Sequence, residues 1–146
     1  MRWILLLGTA CTEAPPANSA GLGDGSDSGL AGGDDVPPTI TFEPLSEAQT
    51  SDTDVVLEAT IADNEGGSGV FLGTLYYRNE TDASTEWKSI GFVRQGESDD
   101  FKATIKAGEQ HSGGMWYYLL AVDVAQNESI LPSTAPTTPY HFRYTD

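Results

Sequence analysis

Val55-Val56-Leu57-Glu58-Ala59-Thr60-Ile61-Ala62 decides the fold, because every second residue from Val55 to Ile61 is apolar. Side chains alternate across an extended strand, so Val55, Leu57, Ala59 and Ile61 share one face while Glu58 and Thr60 share the other. The same period recurs in Phe101, Ala103 and Ile105. Strands are expected over 39–42, 55–62, 70–78, 86–93, 101–105, 116–124 and 140–144, at roughly 10 to 15 residue spacing. No window has convincing helical periodicity. The connectors carry turn chemistry: Asp63-Asn64-Glu65-Gly66-Gly67-Ser68-Gly69, the polar stretch from Arg94 to Asp100, and Gly113-Gly114 before the strongest strand. The fold class is therefore all-β, a sandwich or barrel built from about seven strands. Pro37-Pro38 just before the first strand is compatible with this, since a first-strand residue need not donate a ladder hydrogen bond.

Upstream of Pro37 the composition changes. From Thr12 to Val36 the residues are almost all Ala, Gly, Ser, Asp and Pro, too little apolar surface to offset chain entropy. A flexible spacer of about 25 residues has an r.m.s. span of roughly 25 to 30 Å. Ahead of it, Met1-Arg2-Trp3-Ile4-Leu5-Leu6-Leu7-Gly8-Thr9-Ala10 leads into Cys11, the single cysteine of the chain. A basic residue, a short apolar run and small residues make up a compressed secretory signal. The apolar run is far shorter than the ~20 residues of a spanning helix. The expected organisation is a signal at 1–10, Cys11 and linker over 11–36, and a folded domain over 37–146.

The formal net charge of -15, with seven Lys and Arg scattered through 146 residues, excludes nucleic acid as a partner. Phosphate binding takes clustered basic residues. Such acidity supports solubility and attracts divalent cations. The two histidines, His111 and His141, form no short metal-ligand pattern, and no cysteine pair exists to complete a zinc site. There is no Gly-x-Ser-x-Gly elbow. The expectation is a protein that is not an enzyme, needs no cofactor and acts as a monomer.

Two resemblances sharpen this reading. The segment ending in Cys11 resembles a bacterial lipoprotein signal, although Gly8 stands where leucine is usual. It implies cleavage before Cys11, lipid on its thiol and attachment to a membrane. Several acyl chains would hold the protein stably where one would not. Thr12 is not the aspartate that retains some lipoproteins at the inner membrane, so the expected place is the outer membrane of a bacterial cell envelope. The second resemblance covers about residues 36 to 146. Pro38-Thr39-Ile40, Gly69-Val70 leading to Leu75-Tyr76-Tyr77-Arg78, Trp87 with Ile90 and Phe92, Phe101-Lys102-Ala103-Thr104-Ile105, and Tyr117-Tyr118-Leu119-Leu120-Ala121-Val122-Asp123 followed by Asn127 are similar to a bacterial Ig-like or fibronectin type III-like domain. This implies a Greek-key sandwich serving as a spacer, adhesion or ligand-presenting module. Two positions depart from the pattern: Gln126 precedes Asn127 where glycine is usual, and Lys106 replaces a common proline. Both imply altered loop geometry. Tyr117 or Tyr118, at the start of its strand, is placed to form the corner hydrogen bond of such sandwiches.

Two candidate sites follow. In an Ig-like sandwich the N-terminal entry and two loops gather at one end, bringing together Asp34, Asp35, Asp63, Asn64, Glu65, Asp123, Asn127 and Glu128. Calcium takes six to eight such oxygens, and the site expected for it is Asp63, Asn64, Glu65, Asp123 and Asn127. The alternative is that Asp63 and Asp123 end their strands by capping turn amides while the rest are solvated. The second candidate is a glycan or peptide surface built from Trp87, Trp116, Tyr76, Tyr77, Tyr118, Tyr140 and Tyr144; more often such rings fill a core and its rim. The functional expectation is a cell-envelope lipoprotein presenting a noncatalytic domain for structural, adhesive or protein-binding roles. The alternative is a calcium- or carbohydrate-binding surface module, which an exposed aromatic platform or a convergent carboxylate cluster would favour.

Overall fold

The structure is a computed structural model, and it describes residues 33–109 and 113–145. The signal and lipid readings at 1–10 and Cys11, nearly all of the 11–36 linker, and His111 lie outside the described residues.

Among the described residues ten strands follow one another: β1 (Thr39–Phe42), β2 (Gln49–Thr50), β3 (Val55–Ala62), β4 (Val70–Asn79), β5 (Lys88–Gly91), β6 (Val93–Arg94), β7 (Asp100–Ile105), β8 (Gly114–Asp123), β9 (Glu128–Leu131) and β10 (Tyr140–Thr145). They form two sheets. The first has the order β1-β3-β7-β6; the second has the order β2-β10-β8-β4-β5, with β9 also paired to β8. All pairs are antiparallel except β2 with β10. One 3-10 turn, Ala107–Glu109, is the sole helical element among the described residues.

The alternation that defines β3 is realised in the packing. Val55, Leu57, Ala59 and Ile61 are buried while the residues between them are exposed, and Phe101, Ala103 and Ile105 bury the same face from β7. From the second sheet Leu75, Tyr77, Met115, Tyr117, Leu119 and Phe142 meet them in one apolar cluster. Each fully buried side chain of this kind contributes about 1.5–3 kcal/mol through surface removed from water. That shared cluster holds the two sheets together without a disulfide.

Three features depart from the sequence expectation. The stretch 86–93, expected as one strand, divides: β5 pairs with β4 in the second sheet and β6 pairs with β7 in the first. The crossing is made at Phe92, which is 8 % exposed and whose amide donates to the Gly73 carbonyl at 2.8 Å. Burying that ring between the layers turns the chain from one sheet to the other. Strands β2 and β9 were not expected; both are short and weakly apolar, and pairing with β10 and β8 creates them. Gln126 sits at φ 73°, a left-handed conformation that glycine adopts freely, which identifies the altered loop geometry at that position.

Aromatic residues divide between the faces of the second sheet. Tyr77 and Tyr117 are buried, and half-buried Tyr140 and Tyr144 pack against the core. Trp116, Tyr118 and Tyr76 alternate with them and point outward, half-buried. Tyr117 is the buried ring of the Tyr117-Tyr118 pair, and its hydroxyl accepts from the Leu45 amide at 3.1 Å, in the segment between β1 and β2, so it makes a long-range bond and not the expected corner bond near its own strand.

Candidate functional site

Three segments converge at one end of the fold. The β3–β4 loop brings Asp63, the β8–β9 turn brings Asp123, and the chain entering β1 brings Asp34. One carboxylate oxygen from each lies within 4.8 Å of the other two. The loops are shaped for this. Asp63 accepts from the Asn64 amide at 2.9 Å and from the Gly69 amide at 2.5 Å, closing the loop on itself. Gly69 sits at φ 90°, outside the range that suits a side chain, and its carbonyl accepts from Val124 at 2.9 Å. The register shift between Val70 and Leu72 in the β4–β8 ladder leaves Phe71 61 % exposed beside this end, as a bulge does.

Asp123 is 0 % exposed. Both of its carboxylate oxygens accept from a single residue: the Asn127 amide donates to Oδ1 at 2.8 Å and Asn127 Nδ2 donates to Oδ2 at 2.7 Å. Asn127 Nδ2 also donates to the Asp34 carbonyl at 2.8 Å, so Asn127 ties the entry segment to the turn. Asp34 accepts from the Ser68 amide at 2.8 Å and from Val36 at 3.2 Å. The Ser68 amide, above all, holds its carboxyl below the ordinary carboxylate range, since a donor aimed at the charged form favours it. Ser68 Oγ in turn accepts from Ala125 at 3.0 Å, joining the two loops.

The Asn64 amide completes the rim. With its nitrogen turned inward it donates to Asp63 Oδ1 at 2.9 Å and to Asp34 Oδ1 at 3.3 Å. With its oxygen turned inward it presents a further ligand to whatever those carboxylates hold. None of the three aspartates is paired with Lys or Arg among the described residues. Three anions thus share a small volume, compensated by backbone amides and by the side-chain NH2 of Asn127.

The expected calcium residues are placed unevenly. Asp63, Asp123 and Asn127 come together with Asp34, and Asn64 lies at the rim. Glu65, Asp35 and Glu128 are exposed and stand outside the trio. Asn127 turns its NH2 group to the aspartates, donating to Asp123 Oδ2 and to the Asp34 carbonyl. Asp34 is placed at the centre because its side chain turns toward Ser68 while that of its neighbour Asp35 does not. A surface hollow of about 430 Å3 lies elsewhere, over the first sheet beside Thr41, Glu58 and Lys102. His141 Nε2 lies 3.2 Å from Glu80 Oε2. Compared with known proteins, the chain matches no family model and no curated sequence.

Proposed function

We propose that this chain is a noncatalytic Ig-like β-sandwich lipoprotein of the bacterial cell envelope, held at the outer membrane by lipid on Cys11 and displayed on the 11–36 linker. Its role is structural, adhesive or protein-binding. The observation that carries the Ig-like reading is the strand order. The order β1-β3-β7-β6 opposite β10-β8-β4 corresponds to the A-B-E-D and G-F-C sheets of that architecture. Such a fold hosts many roles, so function rests on its sites. Mass spectrometry of the membrane fraction tests the anchor. The expected result is an N-terminal peptide beginning at Cys11 and carrying acyl chains, lost in Cys11→Ala with the protein released to the soluble fraction. An unmodified Cys11 inside a longer uncleaved peptide overturns the reading.

A second reading, calcium binding, is favoured by one observation: the oxygens of Asp34, Asp63 and Asp123 lie within 4.8 Å of one another with no basic side chain between them. Calcium accepts carboxylate and amide oxygens at flexible geometry, and rotation of the Asn64 amide adds one more. Calorimetric titration of the full chain with CaCl2 tests it. Saturable heat and a raised Tm, both lost in Asp63→Asn, are expected; no heat and no shift at millimolar calcium removes the site.

A further inference from the structure

The outward face of the second sheet carries an arrangement that the acidic end does not explain. Of the six Lys and Arg residues after Arg2 in the chain, four are paired with carboxylates: Lys88 with Glu109, Arg94 with Asp99, Lys102 with Glu58 and Lys106 with Asp54. Arg78 and Arg143 have no carboxylate partner among the described residues. Both point outward from the same sheet, Arg78 from β4 and Arg143 from β10. On a chain of net charge -15, acidic partners are plentiful, yet two guanidinium groups on one face are left without a carboxylate partner among the described residues.

These two arginines share the face with the outward aromatic residues. Tyr76 and Tyr118, directly opposite in the β4–β8 register, stack with centroids 4.8 Å apart at 8°. Trp87 meets Tyr118 edge-on at 4.8 Å and 81°. The Arg78 guanidinium lies 4.9 Å from the Trp87 ring centre, and its Nε is covered without an acceptor. Arg78 is thus positioned by an aromatic ring instead of an anion, which leaves its charge available. Trp116, opposite both Arg78 and His141, extends the row. The nearby carboxylate of Glu80 is engaged by His141 at 3.2 Å.

We propose that this face binds an acidic saccharide, a chain of uronic acid residues, with sugar rings against Trp87, Tyr118 and Trp116 and a carboxylate on Arg78. Sugars present apolar C–H surfaces with polar rims, which aromatic side chains with polar tips accommodate. A uronate adds the anion that a guanidinium receives through two parallel hydrogen bonds. The net negative charge of the protein is screened beyond about 8 Å at physiological salt, so the local arginines govern contact. This reading stands independently of the lipid anchor and of calcium.

The test titrates the full chain with oligogalacturonate, oligomannuronate and hyaluronate oligosaccharides, following tryptophan fluorescence and calorimetric heat. Neutral cello-oligosaccharides and poly-glutamate serve as comparators. At least one uronate is expected to bind and to perturb the fluorescence. Arg78→Gln should weaken it at least about tenfold, since one charge-assisted contact is lost, and Trp87→Ala should abolish it. The Lys102→Gln/Lys106→Gln double variant, altered on the other sheet, should bind as the parent does. Arg78→Lys, which keeps the charge and the fold, should bind with intermediate strength. The proposal is overturned if no uronate binds, if cello-oligosaccharides bind equally well, or if poly-glutamate binds as tightly as the uronates. Dimerisation through this face, seen by sedimentation, overturns it as well.

Discussion

Replacing Asp123 by asparagine separates the two forces acting at the acidic end. The substitution keeps the shape of the side chain and an oxygen to accept from the Asn127 amide, but it sets an NH2 group against Asn127 Nδ2. That nitrogen cannot turn away without cost, because it also donates to the Asp34 carbonyl at 2.8 Å. Loss of one hydrogen bond to a buried carboxylate costs about 1.5–3 kcal/mol. Against this, removing one of three carboxylates whose oxygens lie within 4.8 Å relieves repulsion. Unit charges at that spacing repel by about 1 kcal/mol in water-like surroundings, and physiological salt roughly halves the value. Two neighbours therefore return about 1 kcal/mol, leaving a net loss of about 0.5–2 kcal/mol. For a domain of this size that lowers Tm by about 2–10 °C. Scanning calorimetry of the full chain at pH 7 with a calcium chelator measures it, at low salt and at physiological ionic strength. The deficit should widen as salt rises, because salt weakens the compensating relief and leaves the buried hydrogen bond intact. An unchanged or raised Tm at physiological salt would refute the reasoning, showing that repulsion among the aspartates outweighs the bonds made by Asn127.

Other outcomes follow from single positions. Gly114→Ala should destabilise by about 2–3 kcal/mol in denaturant titration, because a Cβ there would stand 2.5 Å from the Phe142 carbonyl oxygen and 2.5 Å from His141 Nε2, and backbone cannot yield as a side-chain tip can; a loss below about 0.5 kcal/mol would contradict the close packing of β8 on β10. Gln126→Gly should stabilise by about 0.5–1 kcal/mol, since φ 73° strains glutamine more than glycine loses in chain entropy; a fall in the urea midpoint would count against it. Stability should decline as pH rises from 10 toward 12. Burial pushes the Tyr117 hydroxyl up to about 12 from its ordinary 10.0, so the unfolded chain ionises first, and the contribution present below pH 10 is lost by roughly 2–3 kcal/mol. Tyr117→Phe should flatten that decline in pH-dependent unfolding, and an equally steep decline in the variant would assign it to other groups.

Much of the fold was legible because strand periodicity is local. The alternation in Val55 to Ile61 and in Phe101 to Ile105 selects the buried face wherever the strand is placed, and the observed strands follow those limits to within a residue or two. The split at Phe92 was not legible: 86–93 reads as one apolar-polar run, and the turn between sheets exists because the Phe92 ring is buried between them. Strands β2 and β9 are likewise made by their partners, since neither Gln49-Thr50 nor Glu128 to Leu131 has an apolar face sufficient to announce itself. Within Tyr76-Tyr77 and Tyr117-Tyr118 the alternation requires one ring in and one ring out, but which of each pair is buried depends on the register of β4 against β8.

The candidate sites show the same division. The residue types of the acidic end were readable, as was their gathering at one end in an Ig-like arrangement. Their selection was not: Asp34 joins Asp63 and Asp123 while its neighbour Asp35 and nearby Glu65 stay exposed. Composition and periodicity by themselves determine an acidic all-β chain with turn-rich connectors, because they depend on neighbouring residues alone. Which carboxylates share a few ångströms, and which arginines are left without a counter-charge, only the tertiary structure decides. Those pairings join residues tens of positions apart, and the energy that selects them comes from closing the two sheets on a single apolar core.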